Sequence, residues 1–189
     1  MGRHRLIDRE AILDAAEAVV ARDGAARLTL DAVAQEAGIS KASVLYDYGT
    51  KQGLIKAVIE RRIEMDDRAL ADIVAASDRA ADADIKAYVA RASCSPTEED
   101  RAVTTSLCAT LREDEIRQPV RDVVRRRRSA ILTSATVPRG AMLAFLAIEG
   151  LLCLERFDLQ PWTDEERAGL IADIEWLATH GPDDSRAVS

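Results

Sequence analysis

The sequence predicts an all-α protein, with a three-helix head at the N-terminus and a helical-bundle body behind it, about nine helices in all. Nearly half of the 189 residues are hydrophobic (48%), which supplies enough apolar side chains for a core. Aromatic residues make up only 4% of the chain, and alanine and leucine are abundant. Long β-branched runs, which are typical of strands, are absent, and apolar residues instead recur at helical spacing.

The first helix is predicted from apolar residues that follow the i, i+3, i+4, i+7, i+8 pattern of one buried face. These residues are Ile12, Ala15, Ala16, Val19 and Val20. Asp8 can cap the N-terminus of this helix, and Gly24 ends it. We expect this helix to support the two short helices that follow.

Two short helices joined by a tight turn are predicted within residues 28–54. Thr29 can cap the first, Gly38 suits the positive φ at which a helix ends, and Ser40 can cap the second, residues 41–47. This arrangement is the outline of a helix-turn-helix, which places its second helix in the major groove of DNA.

The second of these helices has the side chains that a recognition helix needs. Lys41 and Ser43 lie in its first turn, where they can reach DNA, and two tyrosines follow. Val44 and Leu45 are predicted to anchor the helix to the domain. The basic residues at positions 3–5 are either an arm that reaches DNA or a frayed terminus, and the sequence leaves both open.

Three short motifs at residues 38–41 (Gly-Ile-Ser-Lys), 45–48 (Leu-Tyr-Asp-Tyr) and 50–51 (Thr-Lys) stand in a fixed order before Leu54. This order resembles the TetR family of bacterial transcriptional regulators, over roughly the first third of the chain. The resemblance is specific because the helix-turn-helix has the expected helix on each side.

The chain departs from the family pattern at three positions. Asp47 stands where many members carry a histidine that touches phosphate, and Tyr48 replaces the usual phenylalanine. Gly53 occupies the position at which glutamate would complete a capping box with Thr50, so the start of the next helix is predicted to be less rigid.

The resemblance implies a homodimeric regulator, most simply a repressor, which binds a near-palindromic double-stranded DNA operator and is released by a small-molecule effector of unknown identity. Position by position, it assigns DNA contact to Thr29, Ser40, Lys41, Ala42, Ser43, Tyr46, Tyr48, Thr50 and Lys51. Lys51, at a helix N-terminus, suits a phosphate. Lys41, Ser43 and Tyr46 are the best candidates for contacts to bases.

The sequence is divided into a DNA-binding domain (1–50), an effector-binding and dimerisation domain (51–180) and a disordered tail (181–189). A long helix without proline is predicted from Thr50 to about Ser77, and it can join the two domains as one rod. We expect an apolar effector cavity among the helices of residues 65–145. Its predicted wall residues are Tyr88, Cys108 and Glu149.

Further helices are predicted over residues 82–92, from Thr97, and from Pro119, which is placed in the first turn of its helix after a break at residues 112–118. Four consecutive arginines, residues 125–128, point all round that helix, so most of them are expected to be solvated beside acidic partners.

The helix predicted over residues 138–157 is apolar around nearly its whole circumference, so a partner must cover the part that its own core leaves open. A last helix is capped by Thr163. The resemblance implies that these two helices form a dimeric four-helix bundle. The predicted interface consists of Leu143, Ala147, Gly150, Leu151, Leu154, Leu170, Ile174 and Leu177.

The charge is distributed unevenly. The chain has a net charge of −7, yet residues 1–62 hold ten Lys/Arg against nine Asp/Glu, which leaves 16 against 24 for the remainder. A near-neutral head on an acidic body can dock on DNA through one face. The protein is expected to be cytoplasmic and not to span a membrane, since its longest apolar run, residues 141–154, is too short.

The residues that enzymes use are scarce. The only histidines are His4 and His180, no phosphate-binding glycine motif occurs, and no metal site or cofactor is expected, so an enzyme is disfavoured. The three cysteines, at positions 94, 108 and 153, are interpreted as small apolar core residues. A thiol-based redox-sensing regulator and an effector-independent DNA-binding protein remain as alternatives.

Overall fold

A computed structural model describes residues 9–77 and 80–181. It confirms the all-α class: this part of the chain forms nine α-helices and no strand. The helices are α1 (Arg9–Asp23), α2 (Leu30–Glu36), α3 (Lys41–Tyr48), α4 (Lys51–Ala76), α5 (Ala83–Ser93), α6 (Glu98–Cys108), α7 (Asp114–Ser134), α8 (Pro138–Arg156) and α9 (Asp164–His180). A short 3₁₀ helix, Ala25–Arg27, precedes α2.

Three sequence-based expectations fall outside the described residues: the Asp8 cap, the arm at residues 3–5, and the tail beyond Gly181. Among the helices that are described, none is both long and apolar enough to cross a bilayer.

The chain packs into two compact units. The head unit consists of Met1–Glu64 with Pro96–Arg121, and the body unit consists of Met65–Ser95 with Asp122–Ser189. Helices α4 and α7 therefore contribute residues to both units. The division predicted from the sequence followed functional segments, whereas the packing brings α6 and the start of α7 into the head unit.

The core of the head unit is formed where α1 meets the helix-turn-helix and the first half of α4. Val19 and Val20 of α1 are completely buried, as are Val44 of α3 and both Leu54 and Val58 of α4. Helix α6 adds further apolar side chains to the same core. The i, i+3, i+4 pattern of α1 thus predicted its buried face correctly.

Two consecutive arginines of α4 bind acidic residues of α1 and α6. Arg61 donates to Glu17 at 2.8 Å, and Arg62 donates to the other oxygen of Glu17 at 2.9 Å. Arg62 also donates to Asp100 at 3.3 Å and to the hydroxyl of Thr104 at 3.1 Å. Because the Arg61 and Glu17 side chains are only 12% and 19% exposed, removing one partner would leave a largely buried charge uncompensated, which costs more than breaking a surface pair.

The turn between α3 and α4 requires glycine at position 53. Gly49 has φ +67°, and the amide of Thr50 donates to the carbonyl of Tyr48 at 2.7 Å, which closes a three-residue turn. A Cβ atom on Gly53 would lie 2.3 Å from that same carbonyl oxygen. The glutamate that a capping box favours therefore does not fit here, although Thr50 still accepts from the Gly53 amide at 2.9 Å.

The body unit packs α5, α8 and α9 around a second apolar core. Each helix contributes a completely buried residue to this core: Ile85 from α5, Ile148 from α8 and Ala178 from α9. Thr163 caps α9 as predicted, in a full capping box with Glu166. At the start of α5, the buried Asp82 accepts from the amide of Thr136 at 2.7 Å, which ties α5 to the loop before α8.

The structure corrects the prediction for Pro119. Helix α7 begins at Asp114 and continues through the proline, which was predicted to lie in a first turn. A proline there removes one helical hydrogen bond. Ile116, one turn earlier, is completely buried in the head core, and its packing holds this segment in the helix.

Two of the three cysteines also differ from expectation: Cys94 and Cys153 are exposed, and only Cys108 is partly buried. Cys153 follows the exposed Gly150 by three positions on α8. It therefore shares a face of the helix that the unit's own core does not cover.

Gly53→Ala should destabilise the protein by about 1–3 kcal/mol, because the added Cβ must displace backbone at the α3–α4 turn. The neighbouring Gln52→Ala is the matched control: Gln52 is exposed, and glutamine and alanine are both good helix formers. Urea unfolding of both variants measures the difference. Equal free energies of unfolding for Gly53→Ala and the wild type would contradict the tight turn.

Candidate nucleic-acid interface and effector cavity

Local hydrogen bonds fix the orientation of α3 relative to α2. Thr29 accepts from the amide of Ala32 at 3.1 Å, and Ser40 accepts from the amide of Ser43 at 3.2 Å, so both predicted caps are formed. Gly38 between them has φ +64°. The residues from Thr29 to Tyr48 thus form a helix-turn-helix, and the buried Val44 anchors α3.

The outer face of α3 presents an aromatic ring and a cation. Tyr46 is 88% exposed, which leaves its ring and hydroxyl free to contact a ligand. Lys41 is exposed and binds Asp31 of α2 at 2.8 Å. Leu45 is 48% exposed, so the prediction that it anchors the helix is wrong, and the completely buried Val44 is the anchor on α3.

Two of the residues assigned to DNA contact have their polar groups engaged within the head unit. The Tyr48 hydroxyl donates to the carbonyl of Arg9 at 3.3 Å, and burial raises the pKa of this phenol. The Lys51 ammonium donates to the carbonyl of Ala26 at 2.7 Å. An ammonium has three donors, so this bond leaves Lys51 others to offer.

Asp47 is paired with α1. Both Nε and Nη2 of Arg9 donate to its Oδ1 atom at 3.2 Å, and the Asp47 side chain is only 10% exposed. The carboxylate therefore turns towards α1 and not towards Lys41 or Lys51. Sequence reasoning missed Arg9, which lies 38 positions away from its partner.

A cavity of about 540 Å³ lies within the body unit, between α5, the second half of α4 and the second half of α7. Its volume falls in the range of sites for drug-sized molecules. The lining is mainly small and apolar, with a few charged side chains. The lining residues are Asp67, Leu70, Ala71, Val74, Ala75, Ala80, Ala83, Asp84, Ala87, Tyr88, Arg126, Arg127, Ala130, Ile131 and Ser134.

Of the three predicted wall residues, Tyr88 lines the cavity, and Glu149 is hydrogen-bonded to its hydroxyl. Cys108 is a residue of the head unit and does not line this cavity. Burial, and then the nearby Glu149 carboxylate, raise the pKa of Tyr88. The phenol is therefore neutral and donates its proton to Glu149.

The arginines of the cavity wall are paired with aspartates of α4. Arg127 binds Asp67 at 2.7 Å and Asp66 at 2.8 Å, and Arg126 binds Asp67 at 3.0 Å. Burial lowers the pKa of Arg127, but the two aspartates raise it by more, so this guanidinium stays charged. Of the four consecutive arginines, most of which were predicted to be solvated beside acidic partners, Arg125 and Arg126 are 73% and 61% exposed, and Arg127 is 18% exposed.

The body unit exposes an apolar stripe on α8. Leu143, Leu146 and Leu154 are 39%, 57% and 37% exposed, and nothing lies near the position of a Cβ on Gly150. On α9, Trp176 is 57% exposed. We refer to these five residues as the α8–α9 stripe.

The other residues of the predicted dimer interface are more deeply placed. Leu151 and Ile174 are 6% and 8% exposed and belong to the unit's own core. Ala147, Leu170 and Leu177 are half-buried. The exposed Leu146 and Trp176 were not in the predicted set. Leu146 falls at helical spacing from Leu143 and Gly150, whereas Trp176 falls at helical spacing from none of the predicted α9 residues.

Comparison with known proteins covers both halves of the chain. Residues 12–58 match the family described as bacterial regulatory proteins, tetR family. Residues 82–179, slightly more than half of the chain, match the tetracyclin repressor-like C-terminal domain. A search of curated protein sequences finds no match.

Solved structures with the same fold include two proteins from Streptomyces coelicolor and a multidrug binding protein. SCO7518 of strain A3(2) is 22% identical over 90% of this chain and 98% of its own, with a TM-score of 0.72. The TetR family member SCO1917 is 25% identical over 88% and 96%, with a TM-score of 0.69. The multidrug binding protein EbrR, complexed with malachite green, is 24% identical over 90% and 97%, with a TM-score of 0.71.

The matched segments include the helix-turn-helix, the cavity walls on α5 and α7 and the apolar stripe, while the cavity wall on α4 lies between them. Members of this family are DNA-binding regulators and not enzymes. The chain belongs to the TetR family of bacterial transcriptional regulators.

Proposed function

We propose that the protein is a homodimeric repressor that binds a near-palindromic operator through α3 and leaves it when a small molecule enters the body cavity. The observation that carries this proposal is the outer surface of α3, where Tyr46 is 88% exposed and Lys41 is also exposed. On a capped, anchored helix, an exposed ring with a hydroxyl and a cation provide the apolar and polar groups that can contact base edges.

The DNA contacts fall into two groups by chemistry. Lys41, Ser43 and Tyr46 are on α3 and suit base edges in the major groove, and Ala42 is small enough to let α3 approach closely. Thr29, Ser40, Thr50 and Lys51 lie at the starts of helices, where side chains and backbone amides favour phosphate. Tyr48 supports this surface from behind through its bond to the Arg9 carbonyl.

The α8–α9 stripe supports a homodimer. Covering a leucine side chain contributes roughly 1.5–3 kcal/mol relative to leaving it exposed. Gly150 offers open space in the middle of the stripe, so a second helix can approach closely. A symmetric dimer would cover each stripe with its copy and present two α3 helices to DNA.

The cavity supports a response to a ligand. EbrR, which shares the fold, is described as a multidrug binding protein, and its structures hold imidazole, ethidium and malachite green. In this chain the corresponding proposal is that an organic molecule binds between α4, α5 and α7 and weakens operator binding. A regulator without an effector would keep its operator whatever molecule was added.

Tyr46→Ala should weaken binding to the selected operator by roughly 1–3 kcal/mol while leaving binding to unrelated DNA nearly unchanged, because the ring contacts bases. Lys51→Ala should weaken binding to all sequences alike. It should also reduce the slope of log K against log salt concentration by about the amount due to one phosphate contact. Fluorescence anisotropy on DNA selected from a random pool measures both effects.

Gln52→Ala, one residue from Lys51 but with a neutral side chain, is the control for the salt slope. If Tyr46→Ala lowers affinity for unrelated DNA as much as for the operator, the base-contact role is wrong. If the salt dependence of Lys51→Ala equals that of the wild type, Lys51 does not contact phosphate, and its role is the hydrogen bond to the carbonyl of Ala26.

Leu146→Glu should produce folded monomers that lose specific operator binding. The side chain is 57% exposed in the isolated chain, so a charge costs little there, whereas burying it unpaired in a dimer costs several kcal/mol. Met65→Glu is the matched control, since Met65 is 58% exposed on α4 and outside the stripe. Sedimentation velocity of both variants gives the answer, and a Leu146→Glu dimer with normal operator affinity would place the interface elsewhere.

A further inference from the structure

We infer that the body cavity selects organic cations, and that the carboxylate of Asp84 is the group that recognises the positive charge. This inference rests on the proposed function, because it gives the chemical class of the effector. It begins from the charges of the cavity wall, which consist of two aspartates and two arginines, at positions 67, 84, 126 and 127.

Three of these four groups are already paired. Asp67 accepts from Arg126 at 3.0 Å and from Arg127 at 2.7 Å, and Arg127 is held further by Asp66 at 2.8 Å. An anionic ligand would therefore meet two guanidinium groups whose positive charges are already balanced by aspartates. The Asp67 carboxylate at the same wall also places a negative charge beside any anion that approaches.

Asp84 is in a different situation. Within residues 9–77 and 80–181, its carboxylate has neither an ion pair nor a hydrogen bond, although it is partly buried and lines the cavity. A carboxylate that has lost part of its hydration without gaining a partner attracts a cation. The wall thus offers a free negative charge, while both of its positive charges are occupied.

The surroundings of Asp84 suit an organic cation better than a metal ion. Tyr88 lies one helical turn further along α5, on the same side of that helix as Asp84, and also lines the cavity. An aromatic face attracts a cation as well. Ala83 and Ala87, on the same side of α5, leave apolar space for hydrocarbon groups. No cluster of three metal-ligating side chains occurs in the described residues.

A pair of ions of the same shape and opposite charge tests the inference. Tetraphenylphosphonium and tetraphenylborate are titrated into the full-length protein in sodium buffer by calorimetry. We expect the wild type to bind the phosphonium more tightly than the borate. Asp84→Asn should weaken phosphonium binding roughly tenfold, which is the loss of one charge-assisted contact.

Two further variants separate recognition from structure. Asp84→Glu keeps the charge and should restore most of the phosphonium affinity. Asp72→Asn removes an exposed aspartate of α4 that does not line the cavity, and it should change the affinity by less than twofold. Unchanged phosphonium binding in Asp84→Asn, or tighter binding of the borate by the wild type, would overturn the inference.

Measuring operator binding with the same protein preparations distinguishes a failure of the cation site from a failure of the proposed function. Protein that binds its operator but neither ion overturns the cation site and leaves the DNA-binding role intact. Protein that binds phosphonium through Asp84 but no DNA sequence specifically supports the cation site and contradicts the repressor.

Discussion

The position of the recognition helix depends on how α1 is held, and the ion cluster on α4 holds it together with the apolar core of the head unit. Arg61 and Arg62 are adjacent on α4 and share the two oxygens of Glu17 on α1. Helix α1 in turn binds α3, since Arg9 donates to Asp47 through its side chain and accepts from Tyr48 through its carbonyl. Removing one partner of such a cluster leaves a half-buried charge without compensation, which costs more than breaking an exposed pair.

The same cluster explains why α6 belongs to the head unit. Arg62 reaches Asp100 and Thr104 on α6, and the apolar side of α6 packs on α1. A segment that follows residue 95 is therefore part of the scaffold that carries α3. No local signal in the sequence indicates this, because the partners are 38 and 42 positions apart.

Features set by neighbouring residues were predictable. The caps at Thr29, Ser40 and Thr163 and the turn at Gly38 depend on contacts within four positions, and the structure contains all of them. Features set by distant partners were not. The predicted orientation of Leu45 failed because an eight-residue helix has too few turns to define its buried side.

Helix α8 shows a different limit of prediction from hydrophobic periodicity. It is apolar on nearly every side, so its periodicity predicts a buried helix without saying which residues face the unit's own core. The interface predicted from the sequence therefore combined core residues such as Leu151 with exposed ones such as Leu143. The two exposed cysteines were misjudged for a similar reason, since cysteine is usually buried.

The cavity was predicted only in part from the sequence. Tyr88 was predicted as a wall residue and Glu149 is its partner, but Asp84 was read only as part of a helix. A carboxylate in the first turn of a helix is ordinarily explained by the helix dipole. Only the packing of α4 and α7 around the cavity distinguishes Asp84 from the many other acids at helix starts.

The central claim is that two copies of α3 read one DNA site, and hydroxyl-radical footprinting of the wild-type protein on its selected operator tests it most directly. The account predicts two protected patches related by a dyad, with centres one helical turn or a small multiple of it apart, about 34–36 Å per turn. A single asymmetric patch, or uniform protection along the fragment, would contradict it.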